Sequence, residues 1–154
     1  MSHWLLKTEP STFSLENLQA APRKTTSWEG VRNYQARNFI RDQMKKGDEA
    51  FMYYSSCPQP GIAAIVRVVS APYPDPTAFE RRSEYYDEDS KRDQPRWFTA
   101  DIQLQRPMKR LVSLEELRAH ANGKLKGMLL LRAGNRLSVT PVEDAHWRFI
   151  LSLE

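Results

Sequence analysis

Glu49-Ala50-Phe51-Met52-Tyr53-Tyr54-Ser55 and Ile62-Ala63-Ala64-Ile65-Val66-Arg67-Val68-Val69 stand on either side of the turn cluster Ser56-Cys57-Pro58-Gln59-Pro60-Gly61. The aromatic residues of the first run suit a pleated, half-buried surface, so it reads as a strand. The second run is apolar almost throughout, Arg67 being its only charge, and reads as a central strand covered on both faces. Strands joined by so short a turn pair antiparallel. This hairpin makes the chain a sheet protein, and the segments around it decide what covers the sheet.

Upstream, His3-Trp4-Leu5-Leu6-Lys7-Thr8 reads as a first strand that Glu9-Pro10 ends, because proline cannot donate to a ladder. Lys7 and Glu9 have like parity and share one face at the strand's end. Ser14 caps a short helix whose apolar side is Leu15 and Leu18. Residues 21–27 read as a polar connection. Then comes Trp28-Glu29-Gly30-Val31-Arg32-Asn33-Tyr34-Gln35-Ala36-Arg37-Asn38, a loop with an aromatic wall followed by a basic helix. Asn33 caps that helix, and Ala36, Phe39, Ile40 and Met44 recur near the 3.6-residue period.

Downstream, Ala71-Pro72-Tyr73-Pro74-Asp75-Pro76-Thr77 reads as a stiff excursion without regular structure. Residues 80–93, with six acids, four bases and Tyr85-Tyr86, read as a surface loop. Its carboxylates Asp87, Glu88 and Asp89 lack the spacing and glycine of a calcium loop. Residues 96–104 alternate as a strand, with Phe98, Ala100, Ile102 and Leu104 on one face. Ser113 caps a helix with Glu116 in the capping-box position. Residues 124–131 read as a short helix or strand. Arg136-Leu137-Ser138-Val139-Thr140-Pro141 reads as a last strand ended by proline. Residues 143–153 form an amphipathic helix with Trp147, Ile150 and Leu151 on one side. Strands interleaved with short helices give an α+β architecture, a small mixed barrel with helices packed outside.

The 154 residues suffice for one domain, 1–154, with one core. The net charge of +4 is a mild bias toward anionic partners. A single cysteine, Cys57, excludes an intrachain disulfide framework, and no base stands beside it in sequence. No run of about 18 apolar residues suggests a membrane span. The start, Met1-Ser2-His3-Trp4, carries no signal or basic leader, and the expectation is a cytoplasmic monomer.

No nucleophile elbow or phosphate-binding loop is present, and His3, His120 and His146 are scattered. No cofactor or metal is expected. Aromatics that border turns, among them Trp28, Tyr34, Tyr53, Tyr54, Tyr85 and Trp97, can sandwich a base, with stacking worth about 1–3 kcal/mol. Polar neighbours can read its edge. Two basic segments could hold flanking phosphates: residues 23–46, with seven bases and two acids, and residues 118–136, with five bases and no acid. Trp28, in a polar loop, reads as a pocket wall rather than core.

Trp4-Leu5-Leu6-Lys7-Thr8-Glu9-Pro10 resembles the opening of EVE-domain proteins, and residues 28–38 resemble that family's central motif. Similarity continues through Met52-Tyr53-Tyr54-Ser55, Tyr85-Tyr86-Asp87, Pro95-Arg96-Trp97 and residues 136–141, across almost the whole chain. The resemblance implies a PUA-like fold, a small mixed β-barrel or strongly curved sheet with outer helices, related to the YTH readers of methylated adenine. It implies a non-catalytic reader of a modified base in DNA or RNA, modified cytosine being associated with some members. Carried over by position, Trp28 would be the wall and Asn33 a polar reader, with Lys7 and Glu9 at the rim. Tyr53, Tyr54 and Ser55 would approach from the neighbouring strand, and Ser138 and Pro141 from the last. Tyr53 and Tyr54 point to opposite faces, so both reach one pocket only where the sheet bends. Arg32, Arg37, Arg41 and Arg136 are the phosphate candidates. Two alternatives stand beside the reader: a PUA-like hydrolase using Lys7, Glu9 and Tyr54, and a small-molecule sensor using the same cavity.

Overall fold

The computed structural model describes residues 1–154. Eight strands run in chain order: β1 His3–Thr8, β2 Thr25–Ser27, β3 Glu49–Tyr54, β4 Gly61–Val68, β5 Tyr73–Pro74, β6 Phe98–Thr99, β7 Asp101–Ser113 and β8 Val139–Val142. Four α-helices accompany them: α1 Leu15–Ala20, α2 Tyr34–Asn38, α3 Leu114–Ala119 and α4 Asp144–Leu153. Six strands form one sheet in the order β2-β7-β4-β3-β1-β8, while β5 and β6 pair separately. Only β1 and β3 are parallel; the other neighbours are antiparallel.

The sheet is open, with β2 and β8 as its edges, so the curved sheet rather than a closed barrel is realised. Register shifts at Met52/Tyr53, Ile62/Ala64 and Ile65/Val66 bend the central strands, since a bulge adds twist and curvature. At Gly61 a Cβ would lie 2.5 Å from the Val112 carbonyl oxygen, so only glycine lets β4 approach β7 this closely.

Strand alternation divides the core between the two faces of the sheet. Trp4, Leu6, Ala50 and Met52 face one cluster, completed by Leu18, Ala36 and Ile40 from the helical segments. Leu5, Phe51 and Tyr53 face the other, completed by Leu117, Trp147 and Ile150. Each fully buried Leu or Ile contributes about 1.5–3 kcal/mol relative to exposure. The Trp4 indole N–H donates to buried Asp48 (2.9 Å), whose carboxylate also accepts from the Lys45 backbone N–H, tying β1 to the turn before β3.

Several segments depart from the sequence expectation. Residues 21–27 hold a 3₁₀ turn at Pro22–Lys24 and then β2, whose Thr-Thr-Ser has no apolar period and is fixed by pairing with β7. The proline-rich excursion contains the two-residue strand β5, paired Tyr73 to Thr99 and Pro74 to Phe98, and a 3₁₀ helix at Pro76–Phe79. The strand expected over residues 96–104 breaks at Ala100 and resumes as β7 through to Ser113. The helix after Asn33 is α for one turn and then π over Phe39–Gln43, closed by Met44 N–H to the Phe39 carbonyl. Residues 124–131 are turns with a 3₁₀ helix at Leu129–Leu131. Pro141 lies inside β8 opposite Trp4, which an edge strand tolerates. Ser14 and Ser113 cap α1 and α3 as expected.

Candidate functional site

The curvature brings together groups from distant parts of the chain. The end of β1 (Lys7, Thr8, Glu9), the residues after β3 (Ser55, Ser56), strand β2 and the approach to β8 (Ser138) converge on an open cleft of about 720 Å³. Backbone hydrogen bonds set this meeting point. Lys7 N–H donates to Ser138 O (2.9 Å), Ser55 N–H to Thr8 O (3.0 Å) and Trp28 N–H to Ala100 O (2.9 Å).

Trp28 is shared between core and cleft. It is 9% exposed, packs edge-on to Phe13 at 6.3 Å, and turns its remaining surface to the cleft. Tyr85 adds a second aromatic wall from the acidic loop. Gly30, at φ +85°, lies beneath the Tyr85 ring; a Cβ there would fall 2.5 Å from Tyr85 Cζ. Glycine is required at Gly30 both for this approach and for the left-handed backbone.

A buried network holds the two walls in place. Asp75, fully buried, accepts from Gly30 N–H (2.8 Å), Thr77 N–H (2.9 Å), the Thr77 hydroxyl (2.6 Å) and the Arg32 guanidinium (3.0 Å). Burial alone would push the Asp75 carboxyl up, but these hydrogen bonds more than offset it and hold it below the usual carboxylate range. Arg32 also donates twice to the Tyr85 carbonyl and lies over the Tyr85 and Trp97 rings. Trp97 stacks on Tyr34 at 4.9 Å and donates its indole N–H to Asp87 (2.7 Å).

Burial shifts some of the ionisable groups of the cleft. Burial lowers the Lys7 ammonium pKa, and burial, followed by repulsion from Asp75 and Glu80, raises that of Glu29. Burial, and then Glu84, raises the Tyr85 hydroxyl. Two aromatic walls and several hydroxyls suit a flat, polar ligand.

Of the residues singled out from sequence, Trp28, Lys7, Glu9, Ser55, Ser138 and Arg136 line this cleft. The others are engaged elsewhere. Asn33 spends its side-chain oxygen capping α2, accepting from Ala36 N–H at 3.0 Å. Tyr53 is buried on the opposite face of the sheet with Phe51 and Ile62. The Tyr54 hydroxyl accepts from Leu15 N–H (2.7 Å) and anchors α1. Pro141 sits in β8 away from the cleft. Arg32 is bound into the Asp75 network, Arg37 donates to the Arg96 carbonyl (2.5 Å), and Arg41 pairs with Asp42 (2.7 Å). Lys7, Glu9 and Tyr54 therefore do not form one acid–base constellation. Gly30, Glu29 and the β2 residues Thr26 and Ser27 were not picked out, and Tyr85 was named only among the aromatics that border turns. Tyr85 belongs to a motif of the family resemblance, whereas nothing local in the acidic loop points to a cleft more than 50 residues upstream.

The EVE domain pattern matches residues 2–153. The chain belongs to the EVE domain family. This EVE chain is 46% identical to human thymocyte nuclear protein 1 over 168 aligned residues, covering 99% of the chain and 74% of that relative. It superposes on the human THYN1 protein in complex with 5-methylcytosine containing DNA with a TM-score of 0.94 at 45% identity, covering 99% and 97% of the two chains. A Pseudomonas syringae protein matches with a TM-score of 0.91 at 43% identity, covering 98% of each. These likenesses overturn the expected cytoplasmic location, because the human, rat and mouse relatives are named as nuclear proteins. That expectation rested on a missing basic leader; this EVE chain spans 74% of the human relative, so its first residues are no guide. No helix is long and apolar enough to cross a membrane.

Proposed function

We propose that this EVE chain, acting as one domain and as a monomer, is a non-catalytic reader that draws a modified nucleobase out of DNA or RNA into the cleft. The observation that carries this reading is the aromatic-walled cleft of Trp28 and Tyr85, in a fold shared at 45% identity with a relative solved on 5-methylcytosine containing DNA. Each aromatic contact with an extruded base contributes about 1–3 kcal/mol. The Ser55 and Ser138 hydroxyls, with Lys7 and Glu9, supply donors and acceptors for the base edge.

Burying one added methyl contributes about 0.8 kcal/mol, close to a fourfold preference. Fluorescence anisotropy with matched oligonucleotides, carrying cytosine or 5-methylcytosine in DNA and in RNA, should show at least that preference in one backbone. Equal binding of modified and unmodified strands in both would sink the proposal. Tighter binding of free 5-methylcytidine than of any strand would point to a small-molecule sensor instead.

A further inference from the structure

Three carboxylates, Glu9, Glu29 and Glu84, line the cleft against two cations, Lys7 and Arg136. A base can enter such a cleft, but the phosphates on either side of it are repelled and need cations outside. Of the arginines that the sequence offered for this task, Arg32 and Arg37 are bound within the fold and Arg41 is paired with Asp42, which leaves Arg136. Other cations, next to the cleft, remain free.

We infer that Arg23 and Lys24 on the β2 rim, with Arg136 on the β8 rim, form a two-sided phosphodiester grip. This inference rests on the base-reader reading and places the strand that carries the base. Arg23 and Lys24 are exposed, neither side chain has an ion-pair or hydrogen-bond partner, and they immediately precede β2, whose Thr26 and Ser27 line the cleft. Arg136 is exposed and likewise unpaired, two residues before the cleft-lining Ser138. Strands β2 and β8 are the two edges of the open sheet, and Thr26 and Ser27 from the one and Arg136 and Ser138 before the other line the cleft, so the two cation groups adjoin it from the two edge strands.

The backbone under the β2 group is fixed. Arg23 and Lys24 both hold left-handed φ values, +56° and +51°, which residues with a Cβ disfavour. Gln103 Nε2 and the Thr25 hydroxyl each donate to the Arg23 carbonyl at 2.9 Å, and Lys24 N–H donates to the Ala21 carbonyl at 2.8 Å. Two cations are thus presented from a rigid turn with free side chains, which lowers the ordering cost of seizing a phosphate. Because phosphodiesters are common to DNA and RNA, the grip acts on either; base and sugar are read in the cleft.

The test measures oligonucleotide affinity against salt concentration for the full chain and for the double variant Arg23→Gln/Lys24→Gln. DNA and RNA strands are used, each with cytosine or 5-methylcytosine, and thermal unfolding verifies that the variant is folded. Each lost phosphate contact should reduce the log–log salt slope by about 0.7–0.9, so the pair should remove about 1.4–1.8. The preference for the modified strand should remain. An unchanged slope overturns the grip, and so does a slope loss accompanied by loss of the modified-base preference, which would put these residues inside the base site. If the wild-type chain shows no modified-base preference but the slope still falls, the grip stands and the base-reader reading fails. If the wild type binds no strand at all, both fail.

Discussion

Trp28→Ala is expected to lose about 3–5 kcal/mol of folding stability together with base binding. Sequence alone suggested a pocket wall whose removal would leave the fold intact. The structure gives the indole a second role: it is 9% exposed, belongs to the core cluster that also holds Val31, Ala36 and Leu6, and packs against Phe13. Truncation therefore opens a cavity as it removes the stacking surface. Trp28→Phe keeps an aromatic ring and most of the buried area, so it should stay folded at room temperature and bind the modified strand more weakly. Chemical unfolding and anisotropy on both variants separate the two roles. A fully stable Trp28→Ala would remove the residue from the core, and a Trp28→Phe protein that binds like wild type would remove it from the cleft.

Asp75→Ala should cost a similar amount, about 3–5 kcal/mol, because it strips one partner from a buried charged network. Arg32 is then left partly buried without its carboxylate, and the Gly30 N–H loses its acceptor. The wall under Tyr85 loosens, so ligand affinity should fall with stability. The ionisation of Asp75 contributes to the pH dependence. A carboxyl held below its unfolded pKa contributes stability that is fully present above about pH 4 and is lost as the pH falls through the folded value. Glu154 acts in the same direction, its pKa lowered to about 2 by the Arg106 side chain and then by other contacts including the Lys109 N–H. Wild-type stability should therefore decline from about pH 4.5 toward 2. The decline should be shallower in Asp75→Ala, measured as unfolding midpoints across that range. Parallel curves for the two proteins would show that Asp75 is not a source of the acid sensitivity.

Much of the scaffold was legible because its signals are local. The β3–β4 hairpin, the alternation in β1, the serine caps at Ser14 and Ser113 and the apolar side of α4 each need only a short window of sequence. Strand β2 was not legible, since Thr25, Thr26 and Ser27 carry no period and acquire strand geometry only from β7. The same holds for the far half of β7, where Gln105-Arg106-Pro107 looks like a loop. The cleft was half legible. Lys7, Glu9, Trp28, Ser55, Arg136 and Ser138 lie in motifs that announced themselves. Tyr85 reaches the cleft through the Arg32–Asp75 network, which joins positions 43 residues apart, and no local pattern encodes that. Three of the four phosphate candidates, Arg32, Arg37 and Arg41, are engaged within the protein for a related reason. Composition counts arginines, whereas folding decides which are consumed: Arg32 and Arg37 satisfy carbonyls and aromatic faces, while Arg23 and Lys24, in a short polar turn, remain free.

In the proposed reading the base sits between Trp28 and Tyr85 at the converging strand ends. An NMR titration of backbone amide and indole N–H signals with a short 5-methylcytosine oligonucleotide tests it most directly. The largest shifts are expected at the Trp28 indole and at the amides of Gly30, Ser55, Tyr85 and Ser138, with Tyr53 and Gln59 unmoved. Shifts centred on the groove of Gln59, Leu111 and Arg118, with the Trp28 indole unchanged, would contradict it.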